Sequence, residues 1–426
     1  MNNQRLILYI STRSLGLERE AEIQAARNEG YEIIMADTTK EIYKNYELRH
    51  FIQISLTEPE QATQIILDYL QQNNLKPNGV VGWGDNAVLI VGMVGTALNL
   101  RCSSLSAIQN VRNKINTRSL LQKLIPEANP RFAVISDQES FAQALKQVGT
   151  PCILKPAGAS GGRGITRIKN LEEAFSKYRE FRHLTDPKLD ITYTAYADRF
   201  LLEEELTGSE HSVAGIVVDS KVIVFAVVDK LNDFSVPIQY QNSIPSQLPD
   251  SIQETMITIA RKAVEITGID WCGFHVDMIV ADNQPKVLEV GGRLGGECIN
   301  SHLIPLSNPD NGLHPYSVLM HVIQGKNSLE KEDYHQDIKK KVGMRALLPP
   351  KAGYIEAIYG VKNILNNPNT CAFLQVRKEG DTCYLPIEKY NSYAIGYCVA
   401  QCEIEENINA TFDVLTSSFS VSIKAK

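Results

Sequence analysis

Over its first hundred residues the chain alternates two hydrophobic periods, and that alternation restricts the folds open to it. Short apolar runs suited to strands occupy residues 6–10, 31–36, 50–56 and 79–83. Residues 18–28, 58–72 and 86–100 carry helical spacing instead. Within 58–72, Ile65, Ile66 and Tyr69 are expected on one face. Strands alternating with helices predict a parallel sheet covered on both faces. The first run ends in STRSLG, with no GxGxxG, so little favours a dinucleotide site.

The pattern then changes. Residues 107–124 read as one basic helix carrying Lys114 and Arg118. A strand (131–135), a helix (138–148) and two strands (152–155 and 165–168) around a glycine loop follow. Strand-like segments flank EEELTGSE between residues 200 and 230. Next come a helix (251–267), a hairpin (274–290), a helix (315–324) and the charged stretch KEDYHQDIKKK, which reads as a linker. From residue 342 the chain is rich in strand formers broken by Gly, Pro and Asn. At 426 residues it has room for about three domains. A net charge of −6 argues against coating nucleic acid or anionic membrane. The apolar start is too short for a secretory core, and the run 87–100 is too short to span a bilayer, so a cytoplasmic protein is expected. The eight cysteines form no CxxC pair and read as reduced thiols.

Two segments carry chemistry. Residues 155–164 read KPAGASGGRG. Gly161 and Gly162 leave backbone amides uncovered, and such amides surround phosphate oxygens. Lys155 adds a point charge. No GK[ST] follows, so this is not a P-loop but a flap between two strands. A plain glycine-rich hairpin is the competing reading.

The second segment is GFHVDMIVADNQPKVLEVGGR. With the turn centred on Asn283, Asp277 and Glu289 each lie six residues away and face each other across the hairpin, β-carbons ~5 Å apart. Phe274, Val276, Met278, Val280, Leu288 and Val290 then share the apolar face, and His275 joins the carboxylates on the other. Opposed carboxylates repel unless one binds a proton or a cation lies between them. Magnesium suits one or two carboxylates plus phosphate oxygens. A solvated polar face is the competing reading. Arg293, within GGRLGGE, is placed to meet a transferring phosphoryl group or a developing oxyanion.

Taken in order, the lysine-led flap, the acidic segment and the carboxylate pair followed by arginine resemble the ATP-grasp superfamily of carboxylate–amine ligases, and within it the L-amino acid (dipeptide) ligase branch. The resemblance covers nearly the whole chain. It implies an α/β and α+β ATP-grasp fold: a Rossmann-like parallel-sheet domain (1–112), a nucleotide-binding region (113–334, with a lid at about 128–200) and a strand-rich C-terminal domain (335–426). By the same resemblance, Lys114 and Lys155 meet ATP phosphates, and Ser160, Gly161 and Gly162 form the flap. Glu203, with the backbone of Glu204 to Leu206, holds adenine, and Glu210 holds ribose. Asp277 and Glu289 bind magnesium, with manganese as an alternative, and Arg293 is catalytic. Lys230, His275, Gly295 and Gly296 are candidates for substrate contact. The sequence departs from the family at Gly291, where many members have a metal-binding asparagine, and at Asp277, where glutamate is common.

The resemblance implies an ADP-forming ligase that makes an amide through an acyl-phosphate. Its partners would be small carboxylates and amines, amino acids foremost, with no nucleic acid or membrane, and relatives are often homodimers. A ligase acting on bicarbonate or a nucleotide precursor, or an ATP-binding regulatory module without turnover, are the alternatives.

Overall fold

The computed structural model describes residues 5–159, 161–233, 238–385 and 392–424. The N-terminal part contains β1 (Arg5–Ile10), α1 (Gly16–Asn28), β2 (Tyr31–Asp37), β3 (His50–Gln53), α2 (Pro59–Gln72), β4 (Val80–Gly82) and α3 (Asp85–Ala97). Its four strands form a parallel sheet in the order β3-β2-β1-β4. α2 buries Ala62, Ile66 and Leu70, an i, i+4, i+8 stripe. Ile65, expected on that face, is exposed instead.

The expected single helix over 107–124 is two helices, α4 (Leu105–Arg112) and α5 (Lys114–Leu124). Asn113 leaves helical geometry and its side chain caps the backbone N–H of Ile115. The break makes Lys114 the first residue of α5, where its N–H donates to the Ala157 carbonyl at 2.9 Å. The next part, expected to form a lid, contains β5 (Phe132–Ile135), α6 (Gln138–Val148), β6 (Cys152–Pro156), β7 (Thr166–Ile168), α7 (Leu171–Leu184) and β8 (Phe200–Glu204). Its strands form an antiparallel sheet in the order β5-β8-β6-β7. α6 begins with a reciprocal Asp137–Ser140 capping box. The glycine flap joins β6 to β7, as expected.

The central part contains β9 (Ser209–Val218), β10 (Lys221–Asp233), β11 (Ile238–Ile244), α8 (Asp250–Thr267), β12 (Cys272–Ala281), β13 (Gln284–Gly291), the short α9 (Ile304–Ser307) and α10 (Pro315–Val322). The C-terminal part adds β14 (Lys340–Leu347), β15 (Gly353–Tyr359), α11 (Val361–Leu365), β16 (Thr370–Gln375), β17 (Thr382–Cys383), β18 (Gly396–Glu403), α12 (Ile408–Thr416) and β19 (Ser420–Lys424). One antiparallel sheet spans both parts, in the order β13-β12-β9-β10-β11-β14-β18-β16. β17-β15-β19 form a smaller sheet. The stretch KEDYHQDIKKK is not a free linker. Arg261 bonds the Glu332 carbonyl and Asp333, and Lys340 and Lys341 already belong to β14.

On one face of the large sheet, Val213, Phe274, Val276, Met278 and Val290 pack under α8 with Met256, Ala260 and Val264. Each fully buried large apolar side chain contributes ~1.5–3 kcal/mol. The other face carries the polar groups described next.

Candidate active site

The hairpin of β12 and β13 sets Asp277 opposite Glu289. At its tip Ala281 pairs with Gln284, and Asp282 and Asn283 both have positive φ, as a two-residue type I′ turn needs. The turn centre is therefore half a residue before Asn283. A bulge corrects the difference: Met278 pairs with Val287, but Asp277 pairs with Glu289, so Leu288 is the extra residue. Val287 and Val290 face the core, and Leu288, expected there, is only half-buried.

Ammonium groups stand beside both carboxylates. Lys230 Nζ on β10 donates to Asp277 Oδ1 at 2.7 Å. Lys114 Nζ reaches Glu289 Oε1 at 3.3 Å and the Ala159 carbonyl in the flap at 2.5 Å. Burial alone would raise the Asp277 carboxyl, but Lys230, His275 and Arg293 together hold it below its ordinary value. Burial alone would lower the Lys230 ammonium, and Asp277 holds it above its ordinary value. Glu210 is the cross-strand neighbour of Lys230 and adds to that field.

Lys155 is held by a buried cluster. Its Nζ donates to Glu203 Oε2 at 2.7 Å. Arg118 donates to both oxygens of Glu203, at 2.7 and 3.2 Å, and to the carbonyls of Val287 and Leu288 at 2.8 and 2.9 Å. The bulge thus supplies two acceptors to an arginine that fixes the carboxylate under Lys155. Burial would raise the Glu203 carboxyl, yet Arg118 and Lys155 hold it down at about 2. Glu203, expected to hold adenine, has its carboxylate committed to these two cations. Glu204 is anchored by Arg131 at 2.7 Å, and the segment through Leu206 joins the lid sheet to the large sheet.

Arg293 follows β13 and donates to Asp85 through Nε and a terminal nitrogen, at 3.2 and 2.7 Å. Asp85 opens α3, at the C-terminal end of the parallel sheet, where such sheets place ligands. Burial opposes its charge, but Arg293 and Arg112 hold its carboxyl well below the carboxylate range. His275 stands over Gly291, its cross-strand partner, with Nε2 3.8 Å from Asp277 Oδ2. Burial, then Arg293, lowers its pKa and favours neutral imidazole. Gly295 lies beside His275 and Asn300, and Gly296 beside Arg13 and Glu18. Gly161 and Gly162 take left-handed φ values of 67° and 73° in the flap. Ser160 lies outside the described residues.

The donor set fits a divalent ion. Two carboxylates face each other with ammonium groups beside them, and the buried Ser212 hydroxyl, next to Asp277 on β9, has no partner among the described residues. No group of three His, Cys, Asp or Glu side chains that could hold a metal is gathered among the described residues. An ion here would take its remaining ligands from phosphate and water.

Four participants escaped the sequence reading: Asp85, Arg118 as the partner of Glu203, Ser212 and Glu297. Glu297 has positive φ and accepts from Asn242 at 2.7 Å. The acidic start of α3 directly after a strand was the one visible signal, and it concerned Asp85.

Residues 111–297 match the ATP-grasp domain family. The chain carries an ATP-grasp domain. Over 214 residues it is 28% identical to the alanine–anticapsin ligase of Bacillus subtilis, covering 47% of this chain and 44% of that protein. Over 314 residues it is 22% identical to human carnosine synthase 1, covering 69% of this chain and 37% of that protein. The chain thus spans under half the length of these curated relatives. The crystal structure of L-amino acid ligase from Bacillus licheniformis superposes with a TM-score of 0.82 at 18% identity, over 100% of both chains. The ATP-grasp fold therefore extends beyond the matched domain to the flanking parts. Among the described residues, no helix is long and apolar enough to cross a membrane.

Proposed function

We propose that this chain is an ADP-forming ligase that joins the carboxylate of one amino acid to the amine of a second. The observation that carries this reading is the opposed pair of acids with an ammonium group on each, Lys230 on Asp277 and Lys114 on Glu289. An apolar binder has no use for that arrangement, but a polyphosphate held through a divalent ion does. The names of the similar proteins, alanine–anticapsin ligase and L-amino acid ligase, support the choice of amino acids.

Asp277 and Glu289 would hold magnesium, which when bound neutralises charge on the triphosphate. With an ion held there, Lys230 and Lys114 would be free to exchange a carboxylate partner for phosphate oxygens. Lys155, fixed by Glu203, meets the same phosphates from the lid side. The substrate carboxylate oxygen attacks the γ-phosphorus, and ADP leaves. The amine then attacks the acyl carbon, inorganic phosphate leaves and the nitrogen gives up a proton. Arg293, held by Asp85, stabilises the oxyanion between these events. The flap from 157 to 164 excludes water from the acyl-phosphate.

The test is ADP release by purified protein with ATP, magnesium and pairs of amino acids, and mass spectrometry of the coupled product. We expect ADP and dipeptide in equal amounts. Glu289→Gln should lower turnover by ~10²-fold or more at unchanged folding. ADP release only with bicarbonate or a nucleotide precursor would assign a different acid, and nucleotide binding without turnover would reject the ligase reading.

A further inference from the structure

We infer that Ser209 is an acyl acceptor: an exposed hydroxyl, activated by His211 and Asp229, that takes the acyl group of an activated carboxylic ester. This centre lies on the other face of the large sheet from the opposed acids and acts independently of them.

Strand pairing builds the array. Ser209 and His211 are two residues apart on β9, so their side chains share a face. His211 is directly paired with Asp229 on β10. Ser209 Oγ lies 2.6 Å from His211 Nε2, and His211 Nδ1 lies 2.8 Å from Asp229 Oδ1. Two further donors fix Asp229: the Ser246 hydroxyl on Oδ1, and the Gln247 backbone N–H on Oδ2 at 2.8 Å. Asp229, the acceptor of all these bonds, draws the ring proton to Nδ1 and leaves Nε2 to accept from Ser209. His211 is 5% exposed and Asp229 9%, whereas Ser209 is exposed. The base is thus shielded from water while the hydroxyl it serves is open to an incoming ester. The intervening Glu210 and the following Ser212 turn the opposite way, toward their cross-strand neighbours Lys230 and Asp277. The sheet therefore separates the two centres.

In the reaction, Ser209 Oγ attacks the acyl carbon and its proton passes to His211 Nε2. The bond from Oγ to carbon forms and the bond to the leaving oxygen breaks. The leaving group takes the proton from Nε2, and Asp229 stabilises the imidazolium in between. Thr207, Gly208 and Ser209 are all exposed, so the acyl oxygen stays in water. Acyl-serine should therefore accumulate faster than it is hydrolysed.

The experiment treats the full-length protein with p-nitrophenyl acetate and follows nitrophenolate release and peptide mass spectra. We expect a burst approaching one equivalent per chain, with the acetyl group on Ser209. Ser209 should acetylate at least ~10²-fold faster than Ser220, an exposed serine in the turn after β9. Ser209→Ala should remove the burst without changing the melting midpoint. His211→Asn should slow acetylation of Ser209 by ~10²-fold or more, and Asp229→Asn should slow it too. Equal acetylation of Ser209 and Ser220 in the unaltered protein would overturn the inference. Acetyl groups confined to other side chains would overturn it as well, and so would an undiminished rate in a folded His211→Asn protein.

Discussion

At Glu203 a single carboxylate, almost fully buried, receives both Arg118 and Lys155. Replacing Arg118 by Met removes one of its two cations without opening a large void. Such a loss from a buried ion cluster costs ~3–5 kcal/mol, to be read from urea midpoints. A change under 1 kcal/mol would mean that Lys155 alone suffices. The same group makes stability depend on pH. Its folded-state pKa, about 2, lies below the ordinary glutamate value of ~4.3. Its contribution is therefore complete above the ordinary value and disappears as pH falls toward 2. Acid titration of the Arg118→Met variant should show a shallower loss over that interval. Little of this cluster was legible in the sequence. Arg118 was visible as one charge on a basic helix, but its partner lies 85 positions further on, and only the packed fold brings them together.

The β12–β13 hairpin shows how an element can be read correctly for an incomplete reason. Opposition of Asp277 and Glu289 was legible from alternation and a turn placed at Asn283. The actual turn is half a residue earlier, and the bulge at Leu288 restores the pairing. Strand periodicity carries no mark of a bulge, which is why Leu288 was placed on the apolar face. Deleting Leu288 should leave the acids opposed but remove one carbonyl that Arg118 uses. We expect ~1–3 kcal/mol less stability with Mn²⁺ binding retained, by denaturation and calorimetry. Loss of Mn²⁺ binding would show that the bulge itself sets the carboxylate geometry. The break between α4 and α5 had a readable cue in Asn113, a strong N-cap residue, but the apolar spacing continues through it. The flap between β6 and β7 was legible because glycines and a following strand are local properties. Nucleotide with magnesium should slow proteolysis around Gly161–Gly164, and equal cleavage rates would argue against closure there.

At the scale of the molecule, the βα alternation of the first hundred residues led directly to the parallel sheet. The large sheet was less legible, since strand order across residues 209–403 depends on contacts between segments far apart in sequence. β14 pairs with β11, and Val342, Met344 and Val399 enter the main core. The charged stretch before β14 resembles a boundary, yet the ladder crosses it. Ending the chain after residue 334 should therefore give a self-associating fragment, measured by light scattering. A soluble monomer would show that β11 tolerates its open side. The opposite margin of that sheet is β13, the terminal strand of the order. Its outward carbonyls at Val287 and Leu288 would template an incoming foreign strand, but Arg118 already occupies them. The guanidinium that holds the carboxylate under Lys155 is thus also a guard against misassembly. Damage to it would be felt first as precipitation in a crowded cell, before any assay of chemistry.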